Sequence, residues 1–142
     1  KRQGYCYMIG THIGRQGSAY LARFRQEDIC RQSSYEYWNG LKNRWIVGDE
    51  KSATAIFDGT IGELSFAYLE KYRCWIVLYF DVQRYAICYR TATTLNGAWS
   101  AEQMLVDGDI YPASTNGDEI YYTMSQWYPY NVFLMRAKIV LR

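Results

Sequence analysis

Apolar and polar positions along this chain fall into three paired runs. Residues 5–10 and 19–23, 74–80 and 85–90, and 119–124 and 132–136 are rich in aromatic, β-branched and aliphatic side chains, and a polar or Gly-containing turn splits each pair. Short runs of that composition, separated by turn residues, read as β-hairpins. Each return run closes on an arginine, so Arg23, Arg90 and Arg136 are expected at equivalent places. Two hairpins continue alike: one leads to Tyr35-Glu36-Tyr37-Trp38-Asn39-Gly40, the other to Gly97-Ala98-Trp99-Ser100 and the apolar Met104-Leu105-Val106. In both, a Trp near a Gly leads into an expected outer strand. The middle hairpin has a further strand before it, giving four antiparallel strands at 63–69, 74–80, 85–91 and about 102–106.

A four-stranded antiparallel unit recurring at several tens of residues is the pattern of a propeller blade. The fold class expected is therefore all-β, a partial β-propeller with about two to three blades in one incomplete domain. Residues 1–56 make a partial blade, 57–106 a complete one and 107–142 a partial one. A β-sandwich is the structural competitor. Helix signals are weak, limited to single turns near 26–30 and 101–103. One complete unit and two partial ones do not close a ring of roughly four or more blades. The chain is thus expected to be a portion of a longer protein, or a shortened copy that self-associates through open sheet edges.

Composition narrows the partner. The chain has 142 residues, 49% of them hydrophobic, which suits one domain with its own core and excludes a disordered segment. Fifteen Tyr, five Trp and five Phe stand against one His and two Pro. Aromatic residues favour strands, and Tyr and Trp also offer flat faces on which sugars stack. Sixteen basic and fourteen acidic residues leave a net charge of +2 with no basic stripe, so a nucleic-acid partner has no electrostatic support. No apolar run approaches the roughly 20 residues of a membrane span, and the start lacks the apolar stretch of a signal peptide. Cys6, Cys30, Cys74 and Cys88 form no C-x-x-C pair, and His12 has no partner at ligand spacing. No metal site and no cofactor are expected.

Blade geometry gathers the candidate site. In a blade, the innermost strand starts at the ligand face, and the turn between the second and third strands lies on that same face. The first hairpin then contributes Thr11, His12, Arg15 and Gln16, and the complete blade contributes Asp58, Glu63, Asp81, Gln83 and Arg84. The last hairpin contributes Gln126, Trp127, Tyr128, Tyr130 and Asn131, and a segment with Asp107, Asp109 and Tyr111 enters from the outer strand. Carboxylates, arginines, a His and aromatic rings on one rim suit a carbohydrate, because rings stack on sugar faces and carboxyl groups serve glycoside cleavage. Glu63 heads an innermost strand and is the first choice for chemistry, with Asp58 or Asp81 as a weaker helper. The bland alternative is that Glu63 caps a strand or pairs with Arg84. His12, Arg15, Asp81, Arg84, Tyr111, Trp127, Tyr130 and Asn131 are the expected substrate-binding residues. Trp127 and the tyrosines could equally pack under a long turn, and Asp107 and Asp109 flank a Gly as turn formers do.

Several motifs also carry a family resemblance: Phe57-Asp58-Gly59 with Gly62-Glu63-Leu64-Ser65, the run 75–79, and above all the run 122–136 beginning Tyr122-Thr123-Met124-Ser125-Gln126-Trp127. With Gly17-Ser18-Ala19-Tyr20 and Tyr35-Glu36-Tyr37-Trp38, they make the chain resemble the C-terminal part of bacterial proteins grouped as domain of unknown function 4185. That group is similar to glycoside hydrolase family 183, five-bladed propellers that cleave D-arabinan as endo-acting enzymes. The resemblance implies a secreted or cell-surface hydrolase of an arabinan-like polysaccharide, with Glu63 on the sugar groove. Members of the group begin with further blades carrying acidic motifs that nothing here matches. They also have a longer stretch where Tyr111-Pro112 here adjoins Ala113-Ser114, so the last blade is expected to lack its innermost strand. Because glycoside cleavage takes two carboxyl groups, this chain alone is expected to be inactive or nearly so. The rival reading is a non-catalytic carbohydrate-binding or adhesion propeller with Trp127, Tyr128 and Tyr130 as its platform; a protein-interaction scaffold is the third.

Overall fold

The computed structural model describes residues 4–107, 110–116, 119–125, 132–138 and 140. These form antiparallel strands, with three short 3-10 turns and no α-helix among the described residues. The protein is all-β.

β1 (Tyr5–Thr11) and β2 (Gly17–Arg25) make the first hairpin, and β3 (Glu36–Asn39) and β4 (Arg44–Val47) a short second one. A meander follows: β5 (Ala55–Leu69), β6 (Cys74–Asp81), β7 (Ala86–Ala92) and β8 (Gln103–Asp107). These eight strands hydrogen-bond into one sheet in the order β4-β3-β2-β5-β6-β7-β8, with β1 on the other edge of β2. β9 (Ile110–Asn116), β10 (Glu119–Ser125) and β11 (Val132–Lys138) form a separate three-stranded sheet with β10 in the middle.

All three expected hairpins are present, in continuous register: Tyr5↔Arg25 to Thr11↔Ala19, Trp75↔Ala92 to Asp81↔Ala86, and Glu119↔Lys138 to Ser125↔Val132. Three features differ from the expectation. The strand expected at 63–69 begins at Ala55, because its first part pairs with β2 (Ala19↔Phe57, Gly17↔Ile61) and its second part with β6 (Leu64↔Tyr79 to Leu69↔Cys74). A bulge between Ile61 and Leu64 joins the two parts. Such a bulge lets one strand bend from one partner to the next. β3 is followed at once by β4, with Asn43 turning the chain at φ 48°. Lastly, the third hairpin has a strand before it, where none was expected: β9 pairs along β10 from Glu119↔Asn116 to Met124↔Ile110. Pro112 within a run of small polar residues hid it, since proline argues against a ladder except at edges and bulges.

Period-2 alternation divides the core in two. Val77, Tyr79, Ala86 and Cys88 face Ile9, Ala19, Leu21, Trp38 and Phe57 of the first unit. Ile76, Leu78, Phe80 and Ile87, from the other side of the same strands, pack with Leu69 and Cys74 of the same meander and with Ile120 of the third unit. Arg23 and Arg90 both enter the first of these layers, Arg23 with its guanidinium 4.2 Å from the Tyr5 and Trp45 ring centres and Arg90 5.4 Å from Phe57. Arg136 lies between Met135 and Ala137, which pack on the second layer, so it points the other way. The three arginines close their hairpins alike in sequence, yet they are not equivalent in facing.

Candidate functional site

Two hairpin turns converge on the bulge of β5. The β1–β2 turn reverses through Gly14 (φ 103°) and Arg15 (φ 58°). A non-glycine residue in that region costs about 1 kcal/mol or more unless its surroundings hold it. Arg15 is held by an ion pair to Glu63. From the same turn, Ser18 Oγ donates to Asp58 Oδ1 at 2.8 Å. The β6–β7 turn arrives from the other side. Val82 N–H donates to the Thr60 carbonyl at 3.0 Å, and Thr60 Oγ1 donates to Asp81 Oδ1 at 3.1 Å. Gly62 lies close against β6, where a Cβ would come within 3.3 Å of the Phe80 ring and carbonyl. Residues 58–63 therefore run between the two turns as the floor of a polar rim.

The carboxylates on this rim differ in what they are free to do. Asp81 is buried, 6% exposed, and accepts the Arg84 N–H at 2.8 Å as well as the Thr60 hydroxyl. An aspartate bonded to the backbone three residues on holds its turn. Asp58 is tied to Ser18. Glu63 is 32% exposed and pairs with an Arg15 side chain that is itself 58% exposed. An ion pair this open is worth at most about 1 kcal/mol, so a ligand can displace it cheaply.

Behind the rim lies a network that the sequence reading did not single out. Glu102 Oε2 accepts the Tyr79 hydroxyl at 2.6 Å, and Glu102 Oε1 sits 3.1 Å from Arg84 Nε. Arg90 Nε donates to the Tyr79 oxygen at 2.9 Å and Arg90 Nη1 to the Ser100 carbonyl at 2.9 Å. Burial, and then the hydrogen bond to Glu102, push the Tyr79 hydroxyl well above the usual tyrosine range. Burial and the Glu102 and Asp81 charges push the Cys88 thiol up to about 12. A similar trio stands in the first hairpin, where Arg23 donates twice to Glu36 Oε2 (2.8 and 2.6 Å) and Tyr5 donates to Glu36 Oε1 at 2.9 Å. In the third, Tyr121 donates to Glu119 at 2.8 Å and Arg136 lies 3.8 Å from the same carboxylate. Recurrence in all three hairpins marks these trios as framework. A closing arginine and a tyrosine in one hairpin both call for a carboxylate, which is the signal that could have located Glu36 and Glu102.

The expected site residues thus separate. Arg15, Asp58, Glu63, Asp81 and Arg84 meet around the β5 bulge, although Arg84 pairs with Glu102 and Glu63 with Arg15. His12 belongs to a different cavity of about 270 Å³, edge-on to Tyr20 at 4.9 Å and lined also by Met8, Tyr37, Glu50 and Lys51. Tyr111 lies in β9 opposite Thr123. Trp127, Tyr130 and Asn131 lie outside the described residues, as do Gln126 and Tyr128.

No group of three or more His, Cys, Asp or Glu residues at metal-binding range occurs among the described residues, and all four cysteines are free thiols. No helix among them is long and apolar enough to cross a membrane. Comparison with curated proteins finds no match. A family model does match, over residues 1–136, and by it the chain belongs to the family described as a domain of unknown function, DUF4185.

Proposed function

We propose that this chain is part of a β-propeller of a secreted or cell-surface protein, and that its rim binds an arabinan-like polysaccharide for glycosidic cleavage, with Glu63 supplying one of the two carboxyl groups. The single observation that carries this reading is the state of Glu63. Among the described residues it is the rim carboxylate whose partner is an exposed arginine, an open ion pair that a ligand can displace, and it is itself reachable from solvent. A carboxylate beside a guanidinium suits neutral sugars, since together they accept from and donate to neighbouring hydroxyls. Displacing Arg15 would leave Glu63 as proton donor, base or nucleophile toward the bond. Three units stacked face to face, each outer strand leading directly into the next inner one, support the propeller. Further units, or a second copy, would cover the edge of β1 that faces away from β2.

The test is incubation of the full-length protein, with the further units that this reading requires, with arabinan oligosaccharides, comparing parent and Glu63→Gln by product analysis and by calorimetric titration. Cleavage by the parent, reduced about 100-fold or more by Glu63→Gln, is the expected result. Affinity without product in the parent would replace cleavage by the non-catalytic binding reading, and neither affinity nor product would overturn both.

A further inference from the structure

The passage from the first unit to the second and the passage from the second to the third carry one sequence twice. Phe57-Asp58-Gly59-Thr60-Ile61-Gly62-Glu63-Leu64-Ser65 stands against Val106-Asp107-Gly108-Asp109-Ile110-Tyr111-Pro112-Ala113-Ser114, with Asp, Gly, Ile and Ser at matching places. Four matches in nine would be weak alone, but the strand register repeats as well. Ile61 pairs with Asp81 and Ser65 with Leu78, so four steps on β5 span three on β6. Ile110 pairs with Met124 and Ser114 with Tyr121, so four steps on β9 again span three on β10. Both inner strands therefore carry one extra residue in the same interval. The preceding outer segments match too: Phe57, opposite Ala19, packs on the first core layer, and Val106, opposite Ile87, packs on the second, each facing its next unit.

Superposed on this repeat, Asp58 corresponds to Asp107 and Glu63 to Pro112. An acid at the first position belongs to both passages, so it goes with the passage from outer to inner strand. At the second position the repeat carries a residue that can neither ionise nor donate. The frame thus has no need of a carboxylate there. We infer that Glu63 is a ligand-contacting residue set into a repeated joint, with Arg15 as its positioning partner, and that Asp58 is a joint residue outside the chemistry. This rests on the sugar-binding reading above and reduces its two candidate acids to one.

The joint and the ligand role are tested by separate measurements on the same variants. Proline in a strand normally removes a ladder bond and unfolds the sheet. Glu63 lies within the bulge of β5, and its counterpart Pro112 is accommodated in β9 even at a place paired with Tyr122, one residue before that strand's extra residue. Glu63→Pro is therefore expected to melt within about 4 °C of the parent, while Leu64→Pro, at a position paired with Tyr79, loses the cooperative transition. Unfolding of Glu63→Pro to the same degree as Leu64→Pro would overturn the repeat. The second measurement is retardation in a native gel cast with arabinan. Glu63→Pro and Glu63→Gln are expected to lose at least tenfold in affinity, and Asp58→Asn less than twofold. Retention by both Glu63 variants, or loss in Asp58→Asn equal to theirs, would overturn the assignment. If the parent itself passes unretarded, the sugar reading and the ligand role fall while the melting result still decides the repeat.

Discussion

The two faces of β6 and β7 share one backbone and bury different chemistry. Toward the first unit, Val77 and Tyr79 meet a layer of rings, among them Trp38, Phe57, Trp45 and Trp99, into which Arg23 and Arg90 are set with their glutamates. Toward the third unit, Ile76, Leu78 and Phe80 meet Leu69, Ile87 and Ile120, a mainly aliphatic layer with Tyr72 and Tyr89 at its margin. The aliphatic layer needs only volume and shape, which hydrophobic residues of similar size supply interchangeably. The ringed layer needs particular partners. A one-residue slip of β7 along β6 would carry Arg90 into the aliphatic side. The ringed layer therefore fixes register, and the rim with Glu63 and Arg84 is mounted on its edge. No buried side-chain polar atom lacks a hydrogen-bond partner among the described residues, so this specificity is obtained without an unsatisfied group.

The largest effect should come from the mainly aliphatic side. Ile76 is fully buried in the middle of β6. Ile76→Ala removes its transfer energy and leaves a cavity, an expected cost of about 3–4 kcal/mol, or a fall of roughly 10 °C in melting temperature. Ile76→Val should cost about 1 kcal/mol. Chemical denaturation of both variants checks this, and near-equal costs would mean that the aliphatic layer collapses around the void.

A somewhat smaller loss is expected in the ringed layer. Glu102 is 11% and Arg90 18% exposed, so water reaches the network and the penalty should fall below that of a dry pair. We expect about 2–3 kcal/mol for Glu102→Ala. The sharper test is the triple change Tyr79→Phe, Arg90→Met and Glu102→Leu, which replaces every polar member together. If the network serves register more than stability, the triple variant recovers most of the loss while its strand pairing, read by amide cross-peaks, becomes heterogeneous. A triple variant as unstable as Glu102→Ala, with pairing unchanged, would remove the distinction between the layers.

What was legible in the sequence follows the same division. The three hairpins stood out because their apolar runs are continuous and their turns are polar. β5 was read eight residues short, starting at Glu63 where the strand starts at Ala55, because Asp58, Gly59 and Gly62 look like a turn when their partners are unknown. In the fold those residues bend one strand between β2 and β6. The convergence of Arg15, Asp58, Glu63, Asp81 and Arg84 was legible, since it follows from strand order alone. The pairing among them was not. Glu63 finds Arg15, and Arg84 finds Glu102, because the lengths of the two turns set which arginine reaches which acid. Glu102 itself lies in a stretch without alternation, and only the return of β8 along β7 brings it beside Arg90. The aromatic platform expected at Trp127, Tyr128 and Tyr130 lies outside the described residues.

The smallest effect compares one thiol from each layer. Cys74 borders the aliphatic layer, and burial alone raises its pKa above the ordinary 9.0. Cys88 lies in the ringed layer, where burial is joined by the charges of Glu102 and Asp81 and its pKa reaches about 12. For both, the folded value stands above the unfolded one. Below about pH 9 the thiol is neutral in both states and its contribution to stability is fully present. As pH rises further, the unfolded chain releases a proton that the folded chain retains, so stability is lost, for Cys88 across the window from 9 to about 12. The expected loss is about 1 kcal/mol between pH 9 and 10 for Cys88, and Cys74 shifts stability in the same direction. Cys88→Ala and Cys74→Ala, unfolded in denaturant at pH 8.5, 9.5 and 10.5, should each show a shallower decline than the parent. Introducing Glu102→Gln should then narrow the Cys88 window, because one of the charges opposing its thiolate is gone, and leave that of Cys74 unchanged. Equal changes in the two would mean that the Glu102 charge is felt across the sheet, and that the two layers are electrostatically one.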